Sequence, residues 1–452
     1  MNRRGFLNSS TAAAAILAAP RSIVTGQKKA AAVSNRRFAG LILRELRDQY
    51  RKDLFTDFLP FMNEFVIDHE LGGFMCNTDH KGVRVNQNKL SWFEGRGIWV
   101  YSFLYNNLSR EERYLDVARR SIEFTLKTKP PAGELWPKEL TREGKQLTSA
   151  EGEIYGDLFI AEGLAEYSKA TGKQEYWDMA RELLFKCQDI YDRTDYRPTI
   201  GQTYLGPTAK SFPGARIQGV WMVLIRLVTQ MLEMRSDEKV EKVASRCVEA
   251  ITKHHYNPGF SLINELLNHD LSRPTDEYGQ LVYTGHSIEN LWMLMHEAVR
   301  LKDRELFNTF AEWFKRHVEV AWDDVYGGTF RNLQHVEKNI WVVDKVLWLQ
   351  EEVLIGALFI VEQTGAQWAA DVFSKTYNYV REKFPLKQHG SPLWMYASDR
   401  KASLEAFLKM PKRVENFHHP RHLMLNLLSI ERMLNRSGIH RKPSTDYTDY
   451  TD

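Results

Sequence analysis

The sequence predicts an all-α (α/α)6 barrel, six inner helices inside six outer ones, with short β-hairpins in the long connectors. Three observations lead there. Apolar residues recur at helical spacing over twelve segments: 39–66, 93–108, 112–128, 155–171, 174–192, 216–234, 237–255, 284–301, 303–320, 344–364, 367–384 and 418–435. Connectors alternate between short ones such as Gly172 and Lys173 and long ones at 129–154, 193–215, 256–283 and 385–417. Short joins make antiparallel helix pairs, so the chain reads as a series of hairpins. Helices that open after a long connector begin near 93, 155, 216, 284, 344 and 418, a regular repeat.

The six helices of that series are also the more uniformly apolar ones. Leu158 to Ala161 and Trp221 to Ile225 leave no solvated face, which places them inside. Their partners are amphipathic, as Glu238, Lys239, Glu241 and Lys242 show. An internal echo points to duplication: Glu70, Leu71, Gly72, Gly73, Phe74 resembles Val325, Tyr326, Gly327, Gly328, Thr329, Phe330, each a glycine turn after a long helix. An open helical solenoid is the alternative arrangement.

Composition sets the outer bounds. The 452 residues are 43% apolar and 26% charged with a formal charge of +3, and the charges are interspersed, so nucleic acid is not an expected partner. Asn2, Arg3, Arg4, Gly5, Phe6, Leu7 precede a short alanine-rich stretch. That order predicts a twin-arginine-type export signal and linker over residues 1–37, with no membrane role beyond export. The barrel is expected over 38–440 and a polar tail over 441–452. Cys76, Cys187 and Cys247 are scattered and make no disulfide framework. A homodimer is compatible with these features.

In such a barrel the long connectors and the N-terminal ends of the inner helices share one rim, and polar residues there face a common cavity. Gly285, His286, Ser287, Ile288, Glu289 opens the fourth inner helix. His286 and Glu289 are three apart, so Glu289 is expected to orient the imidazole. In the first inner helix Trp92 and Trp99 flank Arg96; in the fifth, Lys345, Trp348 and Glu352 repeat the pattern of an aromatic one turn before a charge. A buried charge is costly unless paired or used. Pairing with each other, or with Glu94 and Glu351, is the structural explanation for Arg96 and Glu352. Indoles beside hydrogen-bonding charges also suit a sugar, which makes Trp92 and Trp348 candidate stacking residues. Phe417, His418, His419, Pro420, Arg421, His422 opens the sixth inner helix, with Pro420 expected at its first position and His418 just ahead of it. His418 and His422 have metal-ligand spacing but no third clustered ligand, and His419 and His422 read as packing or rim residues.

The segments Trp92 to Tyr101, Gly285 to Trp292, Trp348 to Leu354 and Phe417 to Arg421 resemble, in order, the recurring blocks of the N-acylglucosamine 2-epimerase family. The resemblance spans roughly 39–435 and implies a sugar 2-epimerase. By it, Arg96, His286, Glu352 and His418 fall on the family's active-site arginine, first histidine, glutamate and second histidine, with Glu289 in the first-histidine motif. Cellobiose 2-epimerases and mannose isomerases, which the family includes, carry another histidine in the third inner helix. This chain has Arg216, Ile217, Gln218, Gly219 there. That departure favours an N-acylated hexosamine, with Gln218 and Asp157 as further candidate substrate-binding residues. The expected chemistry is ring opening and C2 proton transfer between two histidines, with Arg96 stabilising the enediolate and neither a metal nor a cofactor required. The alternatives are an aldose-ketose isomerase or cellobiose 2-epimerase of the same family, an (α/α)6 glycoside hydrolase using Asp157 and Glu352, and a non-catalytic sugar-binding protein.

Overall fold

A computed structural model of the chain describes residues 36–147, 152–198, 212–398 and 413–436. The expected export signal and polar tail lie outside the described residues, except for Arg36 and Arg37. Arg36 donates to the carbonyl of Gly365 (3.0 Å), so the chain is already docked two residues ahead of the expected barrel start.

Twelve helices follow in order among the described residues. The first, α1, opens at Leu43–Arg51 and continues through wide π-turns at Lys52–Phe58 and Met62–Val66 on either side of an α-helical turn at Leu59–Phe61. After it come α2 (Ser91–Asn107), α3 (Glu112–Lys127), α4 (Ile154–Thr171), α5 (Gln174–Asp192) and α6 (Gln218–Met234). The second half holds α7 (Glu238–Glu249, extended by Ala250–His255), α8 (Thr284–Arg300), α9 (Arg304–Ala321), α10 (Leu347–Thr364), α11 (Gln367–Lys383) and α12 (His418–Arg436). The even-numbered helices pack in the cyclic order α2, α4, α6, α8, α10, α12 and back to α2. This is the (α/α)6 barrel, and its inner ring buries Trp99, Trp221 and Trp292 completely. None of the helices is long and apolar enough to cross a membrane. The three cysteines are separate buried thiols.

The β structure sits in the connectors, as the turn residues suggest, but among the described residues three of its six two-stranded ribbons join segments far apart in sequence. Lys89–Leu90 pairs with Glu139–Leu140, Arg216–Ile217 with Leu266–Leu267, and Lys345–Val346 with Ala397–Ser398. Each ribbon therefore ties the start of α2, α6 or α10 to the connector that leads into the next inner helix. A local hairpin, Asn332–His335 with Ile340–Val342, completes the rim.

The internal echo is a real structural repeat. Asp68 accepts from the amides of Glu70 and Leu71 and binds Lys89 Nζ at 3.0 Å, while Lys89 donates to the Gly72 carbonyl. Asp323 accepts from Val325 and Tyr326 and binds Lys345 at 2.8 Å, and Lys345 donates to the Gly327 carbonyl. Lys345, read from sequence as part of a sugar-facing pattern, is instead a buried clasp. The turn needs Gly73 and Gly328 at φ +87° and +78°, a region that side chains disfavour. Five residues after each lysine, Glu94 Oε1 accepts from Phe74 N and Gln350 Oε1 from Thr329 N.

Glu94 is thus the counterpart of a glutamine, and burial pushes its carboxyl up to about 8. The native state holds that proton until about pH 8, whereas the unfolded chain releases it near 4.5, so stability falls as pH rises between the two. Glu94→Gln is expected to unfold at higher temperature than the parent at pH 8, by the equivalent of a few kcal/mol, with the gap closing at pH 5. Equal unfolding temperatures at both pH values would show that Glu94 is ionised.

Candidate active site

The N-terminal ends of α2, α6, α8, α10 and α12 gather their polar residues at the ribbon-lined rim. His286 is in the first turn of α8. Its Nδ1 lies 2.8 Å from Glu265 Oε1, not from Glu289, which corrects the expected pairing. Glu265 precedes the strand Leu266–Leu267, and its backbone carbonyl accepts from Gln218 N at 2.8 Å. Burial pushes the Glu265 carboxyl up, opposed by the imidazole. A carboxylate on Nδ1 fixes the tautomer that leaves Nε2 as the reactive nitrogen.

Glu289 lies one turn deeper, where Arg421 Nη2 donates to it at 2.5 Å and to Glu352 Oε1 at 2.6 Å. Glu352 also accepts from Trp292 Nε1 (2.6 Å), and burial raises its carboxyl against the pull of Arg421. The two carboxylates therefore share one buried guanidinium. Arg96 does not pair with Glu352, nor Glu352 with Glu351, as the structural explanation proposed.

His418 is the first residue of α12 rather than ahead of it, and Pro420 falls within the first turn. Its Nδ1 stands 3.1 Å from Glu352 Oε1, an acceptor, and 3.1 Å from Arg421 Nη2, whose two hydrogens are already committed to Glu289 and Glu352. Nδ1 therefore donates to Glu352, which leaves Nε2 of the neutral imidazole free to take a proton. Burial brings the imidazole down to about 4.

Trp348 joins the two histidines. Its ring centroid is 6.3 Å from that of His286 and 5.3 Å from that of His418. Gly285 makes room for it, because a Cβ there would lie 2.5 Å from the indole. Arg96 stacks 4.1 Å from Phe159, 4.8 Å from Phe417 and 5.0 Å from Trp92, and its ion partner is Glu415 at 3.8 Å. Glu415 also accepts from the amide of Phe417, which links Arg96 to the turn before His418. Trp99 does not flank Arg96; its Nε1 donates to Gln230 and its ring lies under Arg226.

Asp157 is not part of this cluster. Its carboxylate is taken up by Lys186 (2.5 Å) and the Trp136 amide (2.9 Å), so the Asp157 and Glu352 pair imagined for a hydrolase is not assembled. Gln218 stands beside the cluster, with Oε1 accepting from Ser287 Oγ (3.1 Å) and Nε2 without a hydrogen-bond partner. Trp92 Nε1, Arg96 Nε, Glu265 Oε2 and the Asn290 amide are likewise buried and unpartnered. Such groups cost free energy unless a ligand meets them. Sequence reasoning missed Glu265, Arg421 and Glu415; only Arg421 carried a signal, as the last residue of a motif already singled out.

The N-acylglucosamine 2-epimerase (GlcNAc 2-epimerase) family matches residues 72–422. The N-acylglucosamine 2-epimerase of Bos taurus is 24% identical over 409 residues, covering 87% of this chain and 92% of its own length. The cellobiose 2-epimerase of Bacteroides fragilis is 23% identical over 371 residues, 78% of this chain and 92% of its own. Among solved structures, the cellobiose 2-epimerase of Spirochaeta thermophila superposes with a TM-score of 0.73 at 19% identity, covering 87% of this chain and 98% of that one. The family match takes in every cluster residue from Trp92 to Arg421 and most of the chain, and this chain belongs to that family: the N-acylglucosamine 2-epimerase family.

Proposed function

We propose that the chain is a sugar 2-epimerase that interconverts N-acylglucosamine and N-acylmannosamine through an enediolate. The observation that carries this reading is the pair of histidines, each with its own carboxylate and both against one indole. After ring opening, one Nε2 removes the C2 proton and the electron pair moves into a C1–C2 double bond. Negative charge collects on O1, where the Arg96 guanidinium offsets it. The other histidine returns a proton to the opposite face of C2, and the carbonyl reforms. Each imidazole ends with its proton count exchanged, and solvent resets both.

Gln218 supports the acylamino substrate. Its unpartnered Nε2 is a donor suited to an amide carbonyl, and Trp92 and Trp348 offer apolar faces to the ring. Residues 1–37 are read as a twin-arginine-type export signal and linker, and on that reading the substrate is met outside the cytoplasm; N-terminal sequencing of protein recovered from the producing cells tests that assignment.

The direct test is to incubate the purified protein with N-acetylmannosamine, N-acetylglucosamine, mannose and cellobiose in heavy water and follow C2 by NMR. Deuterium at C2 with change of epimer in the acetamido sugars supports the proposal. Exchange confined to mannose or cellobiose moves the substrate class, ketose formation makes the protein an isomerase, and no exchange in any aldose overturns both.

A further inference from the structure

Directly behind the two-histidine cluster lies a second one that the chemistry above does not use. Glu351 of α10 and His419 and His422 of α12 are each one residue, or one turn, from a member of the first cluster, but point to its other side. Glu351 Oε1 is 2.5 Å from His419 Nδ1 and 3.3 Å from His422 Nδ1. All three side chains are buried, and their ligand atoms lie within 4.8 Å of one another. The sequence pattern had paired His422 with His418 and found no third ligand; the fold exchanges His418 for His419 and supplies the carboxylate.

Two observations separate this cluster from an ordinary buried ion pair. His422 Nδ1 makes no hydrogen bond, although it is aimed at a carboxylate oxygen 3.3 Å away. That separation is close to the roughly 3.3 Å between ligand atoms that each stand about 2.0–2.1 Å from a tetrahedral ion, whereas the 2.5 Å contact of His419 with the same oxygen is a hydrogen bond that must open on metal binding. The second is that no lysine or arginine forms an ion pair with Glu351 among the described residues. Glu289, Glu352 and His418 form a similar triad, but the Arg421 guanidinium occupies it. Glu351 has only the two imidazoles as ion partners among the described residues. With no arginine or lysine as an ion partner among the described residues, the Glu351 carboxylate is a buried negative charge, which a divalent cation balances.

The surroundings suit a metal. Tyr50, Phe58 and Trp394 pack against the imidazoles at ring-centroid distances of 4.8–5.4 Å, an apolar wall that orients ligands and restricts water. A cavity lined by Phe58, Trp348, Trp394, Glu351 and His419 reaches the cluster and leaves a path for a fourth ligand such as water.

We propose that Glu351, His419 and His422 form a divalent-cation site of the zinc class, which cross-links α10 to α12 directly behind Glu352 and His418. Two imidazoles and one carboxylate with an open position is a donor set that zinc and neighbouring transition metals take readily. The site is independent of the epimerase reading, because its readout is metal and not turnover.

The experiment uses the full chain. Purified protein is analysed for metals, stripped with a chelator, and titrated with Zn2+ and with Co2+. The expected result is one equivalent bound with a dissociation constant of roughly micromolar or tighter, visible absorption of four-coordinate cobalt, and a thermal midpoint raised by zinc. Glu351→Gln and His422→Gln should each weaken binding at least about tenfold. X-ray absorption at the zinc edge of the parent protein reads the ligands directly, so the proposal is decided even where the variants do not fold; two imidazoles are expected. Absence of binding, meaning a cluster held by a shared proton, overturns it. So does zinc without imidazole ligands, or binding unchanged in folded variants.

Discussion

His286→Ala and His418→Ala are each expected to lower epimerisation by about 10^2- to 10^4-fold while leaving the barrel folded, the range that one general acid or base contributes. The two losses should differ in kind. With two bases on opposite faces, each variant keeps the base for one epimer and lacks it for the other. One variant should still wash deuterium into C2 of the acetylglucosamine epimer without converting it, and the other into that of the mannosamine epimer. Glu265→Gln acts one step back, as a positioning residue. It keeps the hydrogen bond but removes the charge behind His286, so its signature is a displaced pH–rate profile rather than a loss of substrate affinity. Full turnover in either histidine variant would end the two-base assignment, while the fold and the family would stand.

The second large effect is on stability. Arg421 is 1% exposed and is the shared ion partner of Glu289 and Glu352. Arg421→Met should destabilise the protein by about 3–5 kcal/mol, because it leaves two buried carboxylates without their cation. Denaturant unfolding measures this. Adding Glu289→Gln to that variant should recover part of the loss, since one of the stranded charges is then gone. A loss below about 1 kcal/mol, or no recovery in the double variant, would show that water reaches these carboxylates.

The helices and their inner or outer placement were legible because burial writes directly into the apolar pattern: α4 and α10 are buried along nearly their whole length and have no solvated face. The motif histidines were legible for a different reason, as chemistry-bearing residues at helix starts. What stayed hidden was pairing. His286 and Glu289 do share a helix face, but α8 enters the rim at Thr284, so three residues separate a cavity-facing side chain from one buried against α12. The partner that His286 finds is 21 residues earlier in sequence, and those of Arg421 are 132 and 69 earlier. Asp157 was misplaced by the same limit. A carboxylate in the first turn of an inner helix can turn toward the cavity or toward the outer layer, and Lys186 decides that from α5.

The ribbon between Arg216–Ile217 and Leu266–Leu267 does more than close the rim. It fixes in one stroke the carboxylate behind His286 and the position of Gln218 beside it, since Gln218 N is bonded to the carbonyl of Glu265. Strand registers move in steps of one residue, and each step turns every side chain to the opposite face. Substrate range on this barrel therefore cannot drift freely in the third connector: an insertion that shifts this ribbon changes the proton affinity of His286 along with the shape of the mouth. New specificities are easier to reach through the other connectors, where binding can vary while the base keeps its partner.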